Sequence, residues 1–123
     1  MNTIHGVVQK GHSRGKKLGF PTMNIPFTEN IEEGIYVSQI VIDQKEYNSL
    51  TFIGAAQTFG ETEIVAETYV FDFSEDVYGK SVIVTLVKKL RGNQKFDSEE
   101  ALVSQMEEDK KNALAFFDKS INK

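Results

Sequence analysis

Up to Leu90 the chain is a succession of short segments rich in Val, Ile, Thr and aromatic residues, and a helical pattern begins only after Arg91. That order constrains the fold more than any other feature. Residues 4–9, 34–42, 46–53, 63–73 and 80–90 read as β-strands. Asp43-Gln44-Lys45 reads as a hairpin turn, and Tyr78-Gly79-Lys80 as a second turn whose flanking strands are expected to be antiparallel neighbours. Beyond the strands, Asp97 and Glu100 have the spacing of a capping box, and Leu102, Val103, Met106, Ala113, Leu114 and Phe117 recur at helical intervals. The insert Asp109-Lys110-Lys111-Asn112 interrupts this stripe, so one bent helix and two shorter ones both fit. Many strands followed by one helix predict a mainly β fold, a small closed antiparallel barrel with the helix packed on one side. We expect a single domain over residues 1–123, with the barrel at about 3–91 and the helix at about 98–120.

The length of 123 residues suffices for one compact core without metals or disulfides. The chain contains no cysteine, which excludes thiol catalysis, thiolate metal sites and a disulfide framework. No stretch approaches the ~20 apolar residues of a membrane span, and Met1-Asn2-Thr3-Ile4-His5 lacks the apolar core of a secretory signal. A soluble, cytoplasmic protein is expected. The net charge of −4 speaks against general nucleic-acid binding, so any anionic ligand must meet a local basic patch.

Such a patch is present. Lys10-Gly11-His12-Ser13-Arg14-Gly15-Lys16-Lys17-Leu18-Gly19 holds four positive charges and three glycines within ten residues. Glycines let backbone N–H groups approach a phosphate, and the cations add charge. The segment is not a P-loop, because only three residues separate Gly11 from Gly15 and Lys17 stands where Ser or Thr should follow. A solvated basic loop is the plain alternative. In Pro21-Thr22-Met23-Asn24 an extended backbone places Thr22 and Asn24 on one face and Met23 on the other. A hydroxyl and a side-chain carbonyl are hard ligands suited to Mg²⁺ that completes its shell with water and ATP phosphates. They equally suit satisfaction of local backbone groups.

Glu67 shares its two-residue phase with Val65, Tyr69, Phe71 and Phe73, so an acid sits on an apolar stripe. Burial raises a carboxylate's pKa and is one way of making a general base. The opposite phase, Ile64, Ala66, Thr68 and Val70, is also apolar, which leaves the core-facing side open and a rim glutamate possible. Arg91-Gly92-Asn93-Gln94-Lys95-Phe96 carries a cation and an aromatic at its ends, a pair able to frame a planar ligand or simply to anchor the start of the helix.

In order, Gly6-Val7-Val8, the Gly-rich loop running into Leu18-Gly19-Phe20-Pro21-Thr22-Met23-Asn24, Gly34-Ile35-Tyr36-Val37, Ile53-Gly54, Ala66-Glu67-Thr68, Asp76-Val77-Tyr78-Gly79 and Leu90-Arg91 to Phe96-Asp97-Ser98 resemble the riboflavin kinase family. The likeness extends from Gly6 to about Ala115 and implies a six-stranded antiparallel Greek-key barrel with a C-terminal α-helix. It implies transfer of the γ-phosphate of ATP to the riboflavin 5′-hydroxyl, giving FMN. Thr22 and Asn24 then correspond to the metal and phosphate residues, and Gly11, Gly15 and Lys16 to the loop over the ATP phosphates. Glu67 corresponds to the general base, Tyr78 and Gly79 to the adenine end, and Arg91 and Phe96 to the flavin end. The implied metal is Mg²⁺, with Zn²⁺ or Mn²⁺ as alternatives, and the implied partners are riboflavin and ATP, without nucleic acid or membrane. A monomer is expected.

Four positions depart from the family pattern. Met23 replaces an alanine, Lys16 an arginine fork, and Asn93 a common glutamate, while Gly54-Ala55-Ala56-Gln57-Thr58-Phe59 lacks the usual arginine and proline. Bacterial relatives usually add an FMN adenylyltransferase before this domain, so FAD synthesis is not expected of these residues. The substitutions at Gln57 and Asn93 motivate one alternative, a non-catalytic flavin or nucleotide sensor on the same barrel. An oligonucleotide-binding barrel would need exposed aromatics among basic residues, whereas here the aromatics follow apolar phases.

Overall fold

The computed structural model describes residues 2–9, 22–55, 60, 64–73 and 75–121. Six strands, β1 (Asn2–Val7), β2 (Met23–Asn24), β3 (Gly34–Ile42), β4 (Lys45–Gly54), β5 (Val65–Val70) and β6 (Ser81–Arg91), precede one helix, α1 (Glu99–Ile121). All strand pairs are antiparallel, in the spatial order β1-β6-β3-β4-β5-β2. The sheet curls because its two edges meet at a bridge between Gln9 and Asn24, with the Gln9 N–H donating to the Asn24 carbonyl at 2.8 Å. Gly6 permits this approach. A Cβ there would fall 2.7 Å from Ile25 Cγ2 and 2.9 Å from the Pro26 carbonyl oxygen.

β3, β4 and β5 form a meander and β6 returns beside β3, which is the Greek key. The expectation that the strands around Tyr78-Gly79-Lys80 pair with each other is therefore overturned. β5 pairs with β4 and β2, while β6 pairs with β1 and β3. The reason is that the chain between β5 and β6 crosses the barrel instead of turning back. Val77 anchors that crossing in the core, and Phe73 packs edge-on against Tyr47 at 5.0 Å. Gly79, at φ 83°, then turns against β1 and donates its N–H to the Val8 carbonyl at 2.9 Å. By contrast Asp43 and Gln44, at φ 50° and 69°, form a tight two-residue hairpin between β3 and β4.

Two apolar layers result. Inside the barrel Ile4, Tyr36, Ile40, Ile53, Ala66, Val70, Val82 and Val84 interdigitate, each buried large side chain contributing about 1.5–3 kcal/mol. Four buried hydroxyls form a chain through this interior, with Ser49 to Ser38 at 2.7 Å, Ser38 to Thr51 at 2.8 Å and Thr51 to Thr68 at 2.9 Å. Pairing makes their burial tolerable, since a lone hydroxyl in the same place would lose water without a replacement. The second layer lies outside the sheet, where Ile35, Val37, Leu50 and Phe71 receive Ala113 and Phe117 from α1.

The helix is continuous across residues 109–112. Asp109, Ala113 and Phe117 are its buried line at four-residue spacing, so the first residue of the polar insert belongs to the packed face while Lys111 and Asn112 are exposed. Leu114 is exposed, and Leu102, Val103 and Met106 are half-buried. The cap also differs from expectation. Ser98, not Asp97, accepts the Ala101 N–H at 3.1 Å, and Glu99 and Glu100 occupy the first turn, where the helix dipole favours acids. No helix among the described residues is long and apolar enough to cross a membrane.

Candidate active site

The β2 segment sits at one edge of the sheet, and its pleat separates its side chains as the sequence predicts. Met23 packs against the barrel core. Thr22 and Asn24 take the other face, and Asn24 stands directly opposite Glu67 on β5. Thr22 Oγ1 donates a hydrogen bond to Glu67 Oε1 at 3.1 Å across 45 residues of sequence. The three sequence candidates for metal and base chemistry therefore meet at one place.

The interior phase of β5 is Ala66, Thr68 and Val70. Glu67 is accordingly half-buried on the outer face with Val65 and Tyr69, not inside the apolar core. Its stripe is apolar because its far end, Phe71, lies beneath α1. Strand register extends the row further: Asn24 and Glu67 are followed by Phe52 on β4, Ile35 on β3 and Arg91 on β6. A carboxylate, an aromatic ring and a guanidinium thus mark one level of the sheet.

Arg91 is held firmly. Its Nε lies 3.0 Å from Asp109 Oδ1 and its Nη2 2.7 Å from Asp109 Oδ2, and the guanidinium carbon sits 5.6 Å from the Phe96 ring centre. The cation and aromatic singled out in the sequence do come together, facing each other. Gln105 donates to Asp109 Oδ1 at 3.1 Å, so the buried carboxylate has partners from both the barrel and its own helix. Sequence reasoning missed Asp109 by treating it as an interruption. Its signal was the four-residue spacing to Ala113 and Phe117.

Tyr78 is exposed, and its N–H donates to Asp76 Oδ1 at 3.1 Å. The turn at Tyr78 and Gly79 abuts Val8, one residue before the Gln9 bridge to Asn24. Gly11, Gly15, Lys16 and Gln57 lie outside the described residues, though the chain on either side of the basic loop meets at that bridge, Gln9 before the loop and Asn24 two residues after Thr22. Asn93, a departure from the family pattern, donates from Nδ2 to Glu33 Oε1 and to the Ala55 carbonyl, both at 3.1 Å.

Among the described residues no three His, Cys, Asp or Glu side chains are grouped to hold a metal ion. The donor set at β2 is instead a hydroxyl and an amide oxygen beside one carboxylate, all hard oxygens. It fits a magnesium ion that draws much of its coordination from a nucleotide.

The family model described as flavokinase, riboflavin kinase, matches residues 2–117. The chain belongs to the riboflavin kinase family. It is 40% identical over 119 residues to the trifunctional protein RibF/MnmA of Mycoplasmoides gallisepticum, covering 94% of this chain and 18% of that one. It is 32% identical over 120 residues to the bifunctional riboflavin kinase/FMN adenylyltransferase of Bacillus subtilis, covering 93% and 38%. The chain therefore spans well under half the length of both relatives. Riboflavin kinase from Trypanosoma brucei superposes with a TM-score of 0.66 at 20% identity, over 95% of this chain and 77% of that one, which establishes the shared fold.

Proposed function

We propose that this chain phosphorylates riboflavin, with Glu67 as general base and Thr22 and Asn24 as ligands of a magnesium-nucleotide complex. The observation that carries the proposal is the meeting of Thr22, Asn24 and Glu67 on one face, with the Thr22 hydroxyl on the Glu67 carboxylate. Family membership supplies the substrates, riboflavin and ATP. Glu67 takes the proton of the riboflavin 5′-hydroxyl as that oxygen bonds to the γ-phosphorus and the bond to the β-phosphate oxygen breaks, giving FMN and ADP. Thr22 orients the carboxylate through its hydrogen bond. Thr22 Oγ1 and the Asn24 side-chain oxygen would hold the ion, which would neutralise phosphate charge when bound.

In the same reading Gly11, Gly15 and Lys16 attend the phosphates, Tyr78 and Gly79 the adenine end, and Arg91 and Phe96 the flavin end. The 123 residues act as one monomeric domain on small molecules in the cytoplasm, and the net charge of −4 supports the omission of nucleic acid. Incubating the pure chain with riboflavin and ATP, with and without Mg²⁺, and separating products by chromatography tests the proposal. FMN that appears only with the metal is expected. Its absence from all reactions would overturn the assignment.

A further inference from the structure

Three chain segments remote in sequence converge just beyond the row that contains Glu67. Glu33 precedes β3, Ala55 follows β4 and Asn93 follows β6. The half-buried Asn93 amide joins them, with Nδ2 donating to Glu33 Oε1 60 residues away and to the Ala55 carbonyl 38 residues away. An amide nitrogen carries two hydrogens, so both are used. The backbone leaves little room around this junction. A Cβ on Gly54 would fall 2.7 Å from Glu33 Oε1 and 2.9 Å from Asn93 Nδ2, and one on Gly34 would fall 2.6 Å from the Arg91 carbonyl oxygen.

From this geometry we infer that Asn93 is a positioning residue for the flavin end, tying the connection that carries Arg91 and Phe96 to the end of β4 and the start of β3. Its Ala55 bond fixes the end of β4 three residues beyond Phe52, the neighbour of Glu67 in register. Its place in the chain is two residues after Arg91 and three before Phe96, which face each other. The sheet fixes Phe52 relative to Arg91 through Ile35, so what the Asn93 clasp adds is the placement of the connection after Arg91, and with it of Phe96, against the end of β4. It also gives the departure from glutamate a physical reason. A carboxylate at position 93 has no hydrogens to donate and would face Glu33 with like charge, whereas the amide satisfies both acceptors. The inference rests on the proposed riboflavin phosphorylation.

The test compares Asn93→Asp, Glu33→Gln and the wild type by riboflavin Kd from flavin fluorescence quenching, KM for MgATP, kcat and thermal midpoint. Asn93→Asp should raise riboflavin Kd roughly tenfold, as expected for losing hydrogen bonds that hold the Arg91–Phe96 connection in place, with MgATP KM and kcat within about twofold. Glu33→Gln retains an acceptor oxygen and should match the wild type. Adding it to Asn93→Asp should recover part of the loss, because the new amide can donate to Asp. An unchanged riboflavin Kd in folded Asn93→Asp would overturn the inference, as would equal weakening of riboflavin and MgATP. If Asn93→Asp does not fold, Glu33→Ala, which leaves the Ala55 bond intact, should raise riboflavin Kd by a smaller factor, and no rise would overturn the inference. Failure of the wild type to make FMN would count against the reaction itself, whereas the Kd comparison is read without turnover.

Discussion

Arg91 and Asp109 form a forked ion pair, Nε to Oδ1 at 3.0 Å and Nη2 to Oδ2 at 2.7 Å, that ties the last strand of the barrel to the buried face of the helix. Only 4% of the Asp109 side chain is exposed, against 20% for Arg91, so the loss of either partner falls unequally on the other. A carboxylate stripped of its guanidinium here would be nearly dry.

Asp109→Ala is expected to destabilise the fold by about 3 kcal/mol, the low end for breaking a buried pair because Arg91 keeps some solvent. Replacing both partners, as Arg91→Met with Asp109→Leu, should recover most of that stability. Urea denaturation of the wild type and both variants measures this. Riboflavin binding should stay weak in the double variant, since the guanidinium at the proposed flavin end is gone.

Removal of the base should separate chemistry from folding. Glu67→Gln keeps shape and much of the hydrogen-bonding capacity, so kcat should fall by roughly 10² to 10⁴, the usual contribution of general acid–base catalysis. Riboflavin Kd and thermal midpoint should hardly move, because Glu67 is half-buried on the outer face, on the opposite side of β5 from the interior residues Ala66, Thr68 and Val70. Unaltered turnover in single-turnover kinetics would remove Glu67 from the mechanism.

Thr22→Ala and Asn24→Ala address the metal-nucleotide edge. Each deletes one oxygen, and Thr22→Ala also takes a hydrogen bond from a carboxylate. Hydrogen bonds to charged groups are worth about 1.5–3 kcal/mol, so kcat/KM for MgATP should drop by roughly 10- to 100-fold in either variant. Circular dichroism should report an unchanged barrel. If both variants retained wild-type kinetics and metal dependence, the nucleotide would have to bind elsewhere.

The interior hydroxyls provide the opposite pattern. Thr51 lies in the middle of the chain, joined to Ser38 and Thr68. Thr51→Val fills nearly the same volume but leaves two buried hydroxyls short of a partner, costing about 1–3 kcal/mol. Activity per folded molecule should persist, because these groups face the barrel interior while Thr22 and Glu67 face outward. A melting curve and a kcat measured well below the midpoint distinguish the two effects.

Local pattern was enough for several elements. Alternation and β-branched residues marked five of the six strands, and the change of period after Arg91 marked the helix. The two-residue phase of Thr22 and Asn24 was readable because pleating is a property of the backbone alone. The short strand Met23–Asn24 escaped as a strand, since two residues carry no period.

The remainder depended on which segments pair. A turn at Tyr78-Gly79 looks the same whether the chain doubles back or crosses to another strand, and only the docking of Val77 in the core and of Gly79 on Val8 decides for crossing. Both phases of β5 are apolar, so the side bearing Glu67 is set by barrel closure and by the helix that covers Phe71. Asp109 looks polar and solvated in sequence, and it is buried because Arg91, 18 residues earlier, reaches it after folding. Periodicity and residue chemistry are local, and both could be read along the chain. Partner choice is non-local and reflects the packing of the whole barrel, so it became visible only in the folded molecule.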